Sequence, residues 1–475
     1  MNPPGWPKLE ESYCAARRLL SASPGHAHLL GIGGVGMAAL AVQLQGRGYL
    51  VSGCDIRMSR VTQHLEELGI ATKVGHSPEH VTRNLQFVVR SPAVHELEPE
   101  LVEARALGLP IFARGIMLAA LLRNRASVAV AGSHGKTTTT AMLAHILRES
   151  GCAAGFAIGG EINGAGIVSE FSENGPLVVE ADESDGTLSV YEAEHAIITN
   201  LELDHVDFFQ TEAALHACFR RFVERTRGSV RYCADDPGAR AVAADHPGAH
   251  AFGFSEDAEL RATNYRETGM STSVTVERVG RSLGKMTLNI PGRTNVLNAL
   301  GALGMAMELG ISFEPASAAL ATFSSVRRRF QIVAHARGRT VVLDYAHHPT
   351  EIRALMEQAK KLGGRRILMV YQPHRFTRTV ALAASFPASF EGVDELVLTP
   401  VYAASEPPVA GGTSADLLPH FTTHPPNVSL AHSLLEAWEM IRNKWREGDV
   451  LLIVGAGDVE KIATWAAEEL DTQLK

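Results

Sequence analysis

The sequence has no paired cysteines. Its five, Cys14, Cys54, Cys152, Cys218 and Cys233, are scattered through 475 residues without a CxxC spacing. They read as reduced core or surface thiols in a reducing compartment, which points to a cytoplasmic protein. No stretch approaches the roughly 18 consecutive apolar residues of a membrane span, and the first twenty residues contain no apolar signal-peptide core. A membrane partner is therefore not expected. There is no excess of basic charge either. Net charge is −8, so no broad positive field awaits nucleic acid or anionic lipid. Solenoid repeats and low-complexity blocks are also missing.

What remains is an ordinary globular composition, 45% hydrophobic and 20% charged, long enough for about three domains at ~150 residues each. From residue 27 onward, short apolar runs alternate with helical patterns, as in an α/β protein whose mainly parallel sheets are covered by helices. Three segments each open with a strand and a turn rich in Gly, His or Pro. Boundaries near residues 126 and 322 divide the chain into 1–126, 127–322 and 323–475.

In the first segment, Gly31, Gly33 and Gly36 form a GxGxxG turn between the strand-like AHLL and the helix-like MAALAVQL. Glycines there let backbone approach a pyrophosphate at a helix N-terminus. Asp55 ends the next strand, where an acid can accept a ribose hydroxyl. Taken alone, this segment suggests NAD.

The second segment points to ATP. GSHGKTTTT (132–140) lies between SVAVA and a helical run with Met142, Leu143, Ile146 and Leu147 on one face. The strict GxxxxGK[ST] pattern fails, because its first Gly would fall at Val130, so the loop is short. Backbone N–H groups of Gly132, Ser133, His134, Gly135 and Thr138 can still face phosphate. Lys136 would reach the β- and γ-phosphates, and the hydroxyl of Thr137 would ligate Mg²⁺. Glu180, Asp182, Glu183 and Asp185 follow a buried strand and suit a hard cation; Asp204 and His205 end another. Each of these acids alone reads as a solvated loop residue. Histidine is an unusual magnesium ligand.

The third segment places His347 and His348 at the end of the strand TVVLD, with Pro349 and Glu351 suited to the following helix start. RILMVYQPHRFTRT repeats the layout with His374, Arg375 and Arg378. Two arginines three residues apart can grip a carboxylate or phosphate.

GSHGKTTTT, EADESDGT, NLELDHVDFF, NVLNALGA, RRRFQ, DYAHHPTEI and QPHRFTRT, in that order, resemble the Mur ligases of bacterial cell-wall synthesis. The likeness spans about residues 27–470 and is greatest to the member that adds the first amino acid. It implies a Rossmann-like UDP-binding domain, a central P-loop ATPase-like domain and a C-terminal Rossmann-like domain that binds the amino acid. The glycine turn would then hold a UDP pyrophosphate rather than NAD. The resemblance further implies ATP and Mg²⁺, with UDP-N-acetylmuramate and L-alanine as substrates, and a monomer or weak homodimer. Glu180 and His205 match the metal positions alongside Thr137. Asn295 would lie near adenine and Asp344 near the ribose. Tyr345, His348, Arg375 and Arg378 would line the reaction site, with His348 orienting or deprotonating the amine. The chain departs from the family at Thr294 (usually His), Leu343 (usually Asp), Ala346 (usually Gly) and Arg90 (usually small). Competing readings are a peptide-recycling ligase of the same family, an NAD-dependent dehydrogenase and a nucleotide-switch module without ligase chemistry.

Overall fold

The computed structural model describes residues 6–123, 125–162, 168–205, 208–421 and 427–472. Residues 206 and 207 of the NLELDHVDFF run, and the outermost residues of both ends, lie outside the described residues.

Among the described residues, three sheets organise the chain. The first has five parallel strands, with His26–Leu30 at its centre between Leu50–Asp55 and Leu85–Arg90. The chain turns outward in opposite directions from the central strand, and the GIGGVG turn sits at that reversal. In open α/β sheets this is where ligands collect. The second sheet has ten strands. Ser127–Ala131 is flanked in parallel by Leu177–Glu180 on one side and His195–Ile198 on the other, so the GSHGK loop also leaves a reversal point. All five residues of SVAVA are buried, as expected of a parallel strand covered by helices on both faces.

The far edge of this sheet differs from the parallel expectation. Leu260–Thr268, Ser271–Arg278 and Arg281–Leu288 form an antiparallel meander. Their inward residues alternate with exposed ones, the period-2 pattern of a half-buried sheet. The third sheet has six strands. Arg339–Asp344 and Arg366–Tyr371 flank Asp449–Val454 in parallel, and Gln331–Ala336 adds an antiparallel edge.

The first two units are not separable beads. One apolar core runs from Trp6 and Tyr13 through Leu118 and Leu122 to Phe219 and Phe222. Helix Trp6–Leu20 clasps the middle unit, with Glu10 accepting from Arg221 at 2.7 Å and Arg225 at 2.9 Å. Buried Gln43 donates to the Glu170 carbonyl at 2.8 Å across the same seam. Among the described residues no helix is long and apolar enough to cross a membrane.

Candidate active site

The GSHGK loop is shaped by its two glycines. Gly132 has φ +141° and Gly135 φ +81°. A Cβ would meet the Thr199 hydroxyl at 2.0 Å in the first case and the Asn298 amide oxygen at 2.5 Å in the second. Neither position accepts a side chain. The residues after strand His195–Ile198 anchor the loop from beneath. Asn200 accepts the N–H groups of Ser133 and His134 at 2.9 and 2.8 Å, and Thr199 donates to the His134 carbonyl at 2.7 Å. The N–H groups of Ser133 and His134 are therefore engaged inside the protein. The anion-facing donors expected of the loop move one turn on, to the N-terminus of helix Lys136–Glu149, whose first N–H groups have no intrahelical acceptor.

Lys136 folds back over the loop. Its ammonium donates to the Gly132 carbonyl at 2.6 Å and to Glu183 at 2.9 Å. Burial disfavours its charge, but Glu183 and Asp182 outweigh that and raise its pKa. Burial, reinforced by Asp182, outweighs the lysine at Glu183 and pushes its carboxyl up to about 7. Asp182 behaves oppositely. Despite burial, Arg114 and Lys136 hold it well below the usual carboxylate range, with Arg114 at 3.0 Å.

Beside these, Thr137 donates its hydroxyl to Glu180 at 2.9 Å, and the other Glu180 oxygen accepts from Gly159 N–H at 2.7 Å. A hydroxyl and a carboxylate at the loop's edge form the oxygen-rich donor set that Mg²⁺ prefers. His205 stands 3.7 Å from Glu183, and its buried Nδ1 has no hydrogen-bond partner among the described residues. Burial lowers its pKa to about 4, so the ring is neutral and able to ligate. The three residues thus fit a divalent cation.

The third unit reaches the site through charge pairs. Buried Arg378 donates to Asp204 at 2.7 Å, and His347 stands 3.8 Å from the same carboxylate. Arg375 pairs with Glu406 at 2.7 Å and is held at φ +68°, a costly conformation for a residue with a Cβ. His348 does not take the place expected of it. It caps helix Pro349–Ala359, where its Nδ1 accepts the Thr350 N–H at 3.3 Å. Its ring lies buried against His134, 5.0 Å between centroids, and burial lowers its pKa to about 4. The imidazole that reaches the cleft is its neighbour, His347.

Two cavities meet at the loop. One, about 430 Å³, is lined by His134, Gly135, Thr138, Asn295 and Asp344 among others. The other, about 1310 Å³, is lined by Gly33, Gly36, Lys136, Thr137, Glu180, His205, Tyr345, His347, Arg375 and Arg378 among others. Asn295 donates to the Pro291 carbonyl at 2.7 Å, and both oxygens of Asp344 accept backbone N–H groups at 2.7 Å. Gly31 supplies the turn at φ +75°. Asp55 has one oxygen taken by the Gly33 N–H at 2.9 Å. That bond ties Asp55 to the glycine turn.

Sequence reasoning passed over several residues that line the larger cleft or bind it together. Arg57 and Arg60 follow the strand after the glycine turn, and Arg114 opens a helix. Arg329 touches both cavities and stands 3.6 Å from Glu351. His134, expected from the sequence only as a phosphate-loop residue, links Glu202 at 3.0 Å to Glu351 at 3.4 Å. Burial opposes its charge, but the hydrogen bonds to the two carboxylates push its pKa up to about 9. The RRRFQ run was the one available signal, since three adjacent arginines seldom serve packing alone.

Comparison with known proteins gives a consistent result along the chain. Residues 26–126 match the Mur ligase family catalytic domain, 130–306 the Mur ligase middle domain, and 328–457 the Mur ligase glutamate ligase domain. The UDP-N-acetylmuramate–L-alanine ligase of Geotalea uraniireducens is 38% identical over 94% of this chain and 98% of its own length. That of Kineococcus radiotolerans is 42% identical over 92% and 94%. The crystal structure of the Thermotoga maritima UDP-N-acetylmuramate–alanine ligase superposes with a TM-score of 0.81 at 30% identity, covering 94% of this chain and all of that one. A murein peptide ligase from Psychrobacter arcticus superposes with a TM-score of 0.71 at 25% identity, covering 94% and 98%.

Proposed function

The chain belongs to the Mur ligase family, and on that premise we propose that it joins L-alanine to the lactyl carboxylate of UDP-N-acetylmuramate with conversion of ATP to ADP and phosphate. The relatives named for this reaction match at 38–42% identity over nearly their whole length. One structural observation carries the reading: the GSHGK loop is the shared wall of a nucleotide-sized cavity and a much larger cleft. A nucleotide seated in the smaller cavity presents its terminal phosphate to the larger one.

A carboxylate is a poor electrophile, so amide formation needs activation. The lactyl carboxylate attacks the γ-phosphorus and ADP leaves, giving an acyl phosphate. The amine then attacks the acyl carbon, and the tetrahedral intermediate expels phosphate. The smaller cavity holds the nucleoside, with Asn295 near adenine and Asp344 near the ribose. The N-terminus of helix Lys136–Glu149 receives the phosphates. Lys136 leaves Glu183 to follow the charge that develops on the transferred group. Thr137, Glu180 and His205 would hold Mg²⁺. When bound, magnesium neutralises phosphate charge during transfer.

At the other end of the cleft, the GIGGVG turn with Arg57 and Arg60 receives the UDP pyrophosphate. Arg375 and Arg378 face the amino acid's carboxylate. Asp204 orients His347, which accepts a proton from the attacking amine. The unit carrying these groups closes over the acyl phosphate and excludes water. The oligomeric state proposed, on the family resemblance alone, is a monomer or weak homodimer. Five unpaired thiols suit the cytoplasm. The test is phosphate release with UDP-N-acetylmuramate against L-alanine, glycine and L-serine. L-Alanine gives the highest kcat/KM; release indifferent to the amino acid removes the ligase reading.

A further inference from the structure

Outside both cavities, the first unit gathers a second set of reactive side chains. Cys54 lies at the end of strand Leu50–Asp55, and His28 lies in the adjacent strand His26–Leu30. His76 precedes and His80 ends the short turn Pro78–His80, and Glu100 enters from helix Pro99–Ala106. The Cys54 sulfur is 3.2 Å from Glu100 Oε1 and 3.5 Å from His76 Nδ1. His76 Nδ1 is 3.1 Å from Glu100 Oε2, and His80 Nδ1 is 3.0 Å from Glu100 Oε1. One ring nitrogen each of His28 and His80 also lies within 4.8 Å of the sulfur.

These spacings are close to those of a metal cage. Tetrahedral zinc with ordinary Zn–S, Zn–N and Zn–O bonds sets its donors about 3.4–3.6 Å apart. The Cys54–His76 separation falls in that range, and the three contacts to Glu100 are a few tenths of an ångström shorter, as in a cage drawn together by hydrogen bonds. Two atoms remain unsatisfied. Glu100 Oε2 and His28 Nε2 are buried with no hydrogen-bond partner among the described residues, in side chains 0% and 1% exposed. The Glu100 oxygen has the His76 ring beside it at 3.1 Å without a hydrogen bond; burying a carboxylate oxygen in that state is costly, and a cation bound by Cys54, His76 and Glu100 offsets the cost.

We propose that Cys54, His76 and Glu100, whose donor atoms lie within 4.8 Å of one another, form a structural zinc site that His80, 3.0 Å from Glu100, closes as the fourth ligand, with His28 as a nearby reserve ligand. A thiolate with two imidazoles selects a borderline-soft metal over magnesium or calcium. Four protein donors leave no open position, which marks a structural rather than a catalytic centre. Ser52 bonds His28 Nδ1 at 2.9 Å and orients the ring. Binding forms the zinc–sulfur bond and releases the Cys54 thiol proton to solvent. The Cys54 carbonyl accepts the N–H groups of Gly31 and Ile32 at 2.8 and 3.0 Å. Metal at Cys54 thereby braces the glycine turn.

The test uses the full-length protein, stripped with chelator and titrated with cobalt(II) alone in magnesium-free buffer. One equivalent gives a near-ultraviolet thiolate-to-cobalt band and the intense visible absorption of tetrahedral cobalt, and zinc displaces both. Cys54→Ser abolishes the near-ultraviolet band. His80→Gln alters a side chain at the edge of the cage and is expected to fold; it weakens cobalt binding by about tenfold or more. Zinc raises the melting midpoint of the stripped parent but not of Cys54→Ser. The proposal is overturned if the parent shows no thiolate band, or if the band persists in Cys54→Ser. It is also overturned if zinc raises the midpoint equally in parent and Cys54→Ser, which would place the metal elsewhere, such as at the His134, Glu202 and His348 cluster.

Discussion

Replacing Lys136 by alanine removes the ammonium that bridges Gly132, Ser133 and Glu183. If it stabilises the migrating phosphoryl group, its loss is comparable to removing one preorganised donor from a charged transition state, about 10²–10³ in kcat. The same change tests whether the fold survives, and Glu183 decides that. A buried carboxylate stripped of its only nearby ammonium would be expensive if it stayed ionised. Its folded pKa is already near 7 with the lysine present, and the lysine opposes the rise, so removal lifts it further. A carboxyl whose folded pKa lies above its unfolded value contributes least stability at high pH, and stability falls as pH climbs between the two. Below pH 7 Glu183 is protonated in both folded proteins, and their melting points differ little. Above pH 7 the parent's Glu183 ionises while the variant's does not. The gap then widens by about 1.4 kcal/mol per pH unit until the variant's own pKa is passed. Phosphate release with both substrates present measures the first effect, and melting curves from pH 6 to 9 measure the second. Turnover within a few-fold of the parent would refute the phosphate assignment. A melting gap independent of pH would refute the account of Glu183.

Three further outcomes follow from the site. Glu180→Gln loses most activity, whereas His205→Ala raises the Mg²⁺ concentration for half-maximal rate; an unchanged titration midpoint with a lowered melting point would make His205 a packing residue. Arg378→Met breaks a buried pair and leaves Asp204 enclosed, at a cost of roughly 3 kcal/mol, the low end for such pairs. His347 and His205, at 3.8 and 3.9 Å, partly compensate, and denaturant titration reads the loss. His348→Ala removes a helix cap and costs about 1 kcal/mol in stability with kcat nearly intact, whereas His347→Ala lowers kcat; equal kinetic effects would undo the distinction drawn between the two rings.

The parts of the molecule legible in the sequence are those written in contiguous residues. SVAVA followed by GSHGK had to be a buried strand feeding a phosphate turn, because a five-residue apolar run next to two glycines has few other uses. The meander over 260–288 was equally local, with alternating LRATNYRET and STSVTVER joined through Gly269. It was passed over because neighbouring helical patterns set the expectation of parallel strands. Side-chain direction is different. In DYAHHPTEI the signal was present but unread: Pro349 at the first helical position makes His348 the capping residue, whereas the entry of His347 into the cleft appears only in the fold. Nor does the sequence show that the Asp55 carboxylate accepts the N–H of Gly33, 22 residues earlier.

The contacts that complete the site lie furthest from legibility, since each joins segments that carry no mark of one another. Arg114 to Asp182 ties the first unit to the acidic turn, 68 residues apart. Arg378 to Asp204 and Thr350 to Glu202 tie the third unit to the middle one, 174 and 148 residues apart. Each of these acids follows a middle-sheet strand next to the phosphate loop, and taken singly each reads as an ordinary loop carboxylate. Together they explain why the middle unit carries so many acids beyond those a metal needs. Asp182, Glu202 and Asp204 receive side chains from the flanking units, whereas Glu180 meets Thr137 and Gly159 within the middle unit. The acidic turns thus serve as docking points for the outer units. Neutralising Asp204 should therefore disturb closure before it disturbs ATP.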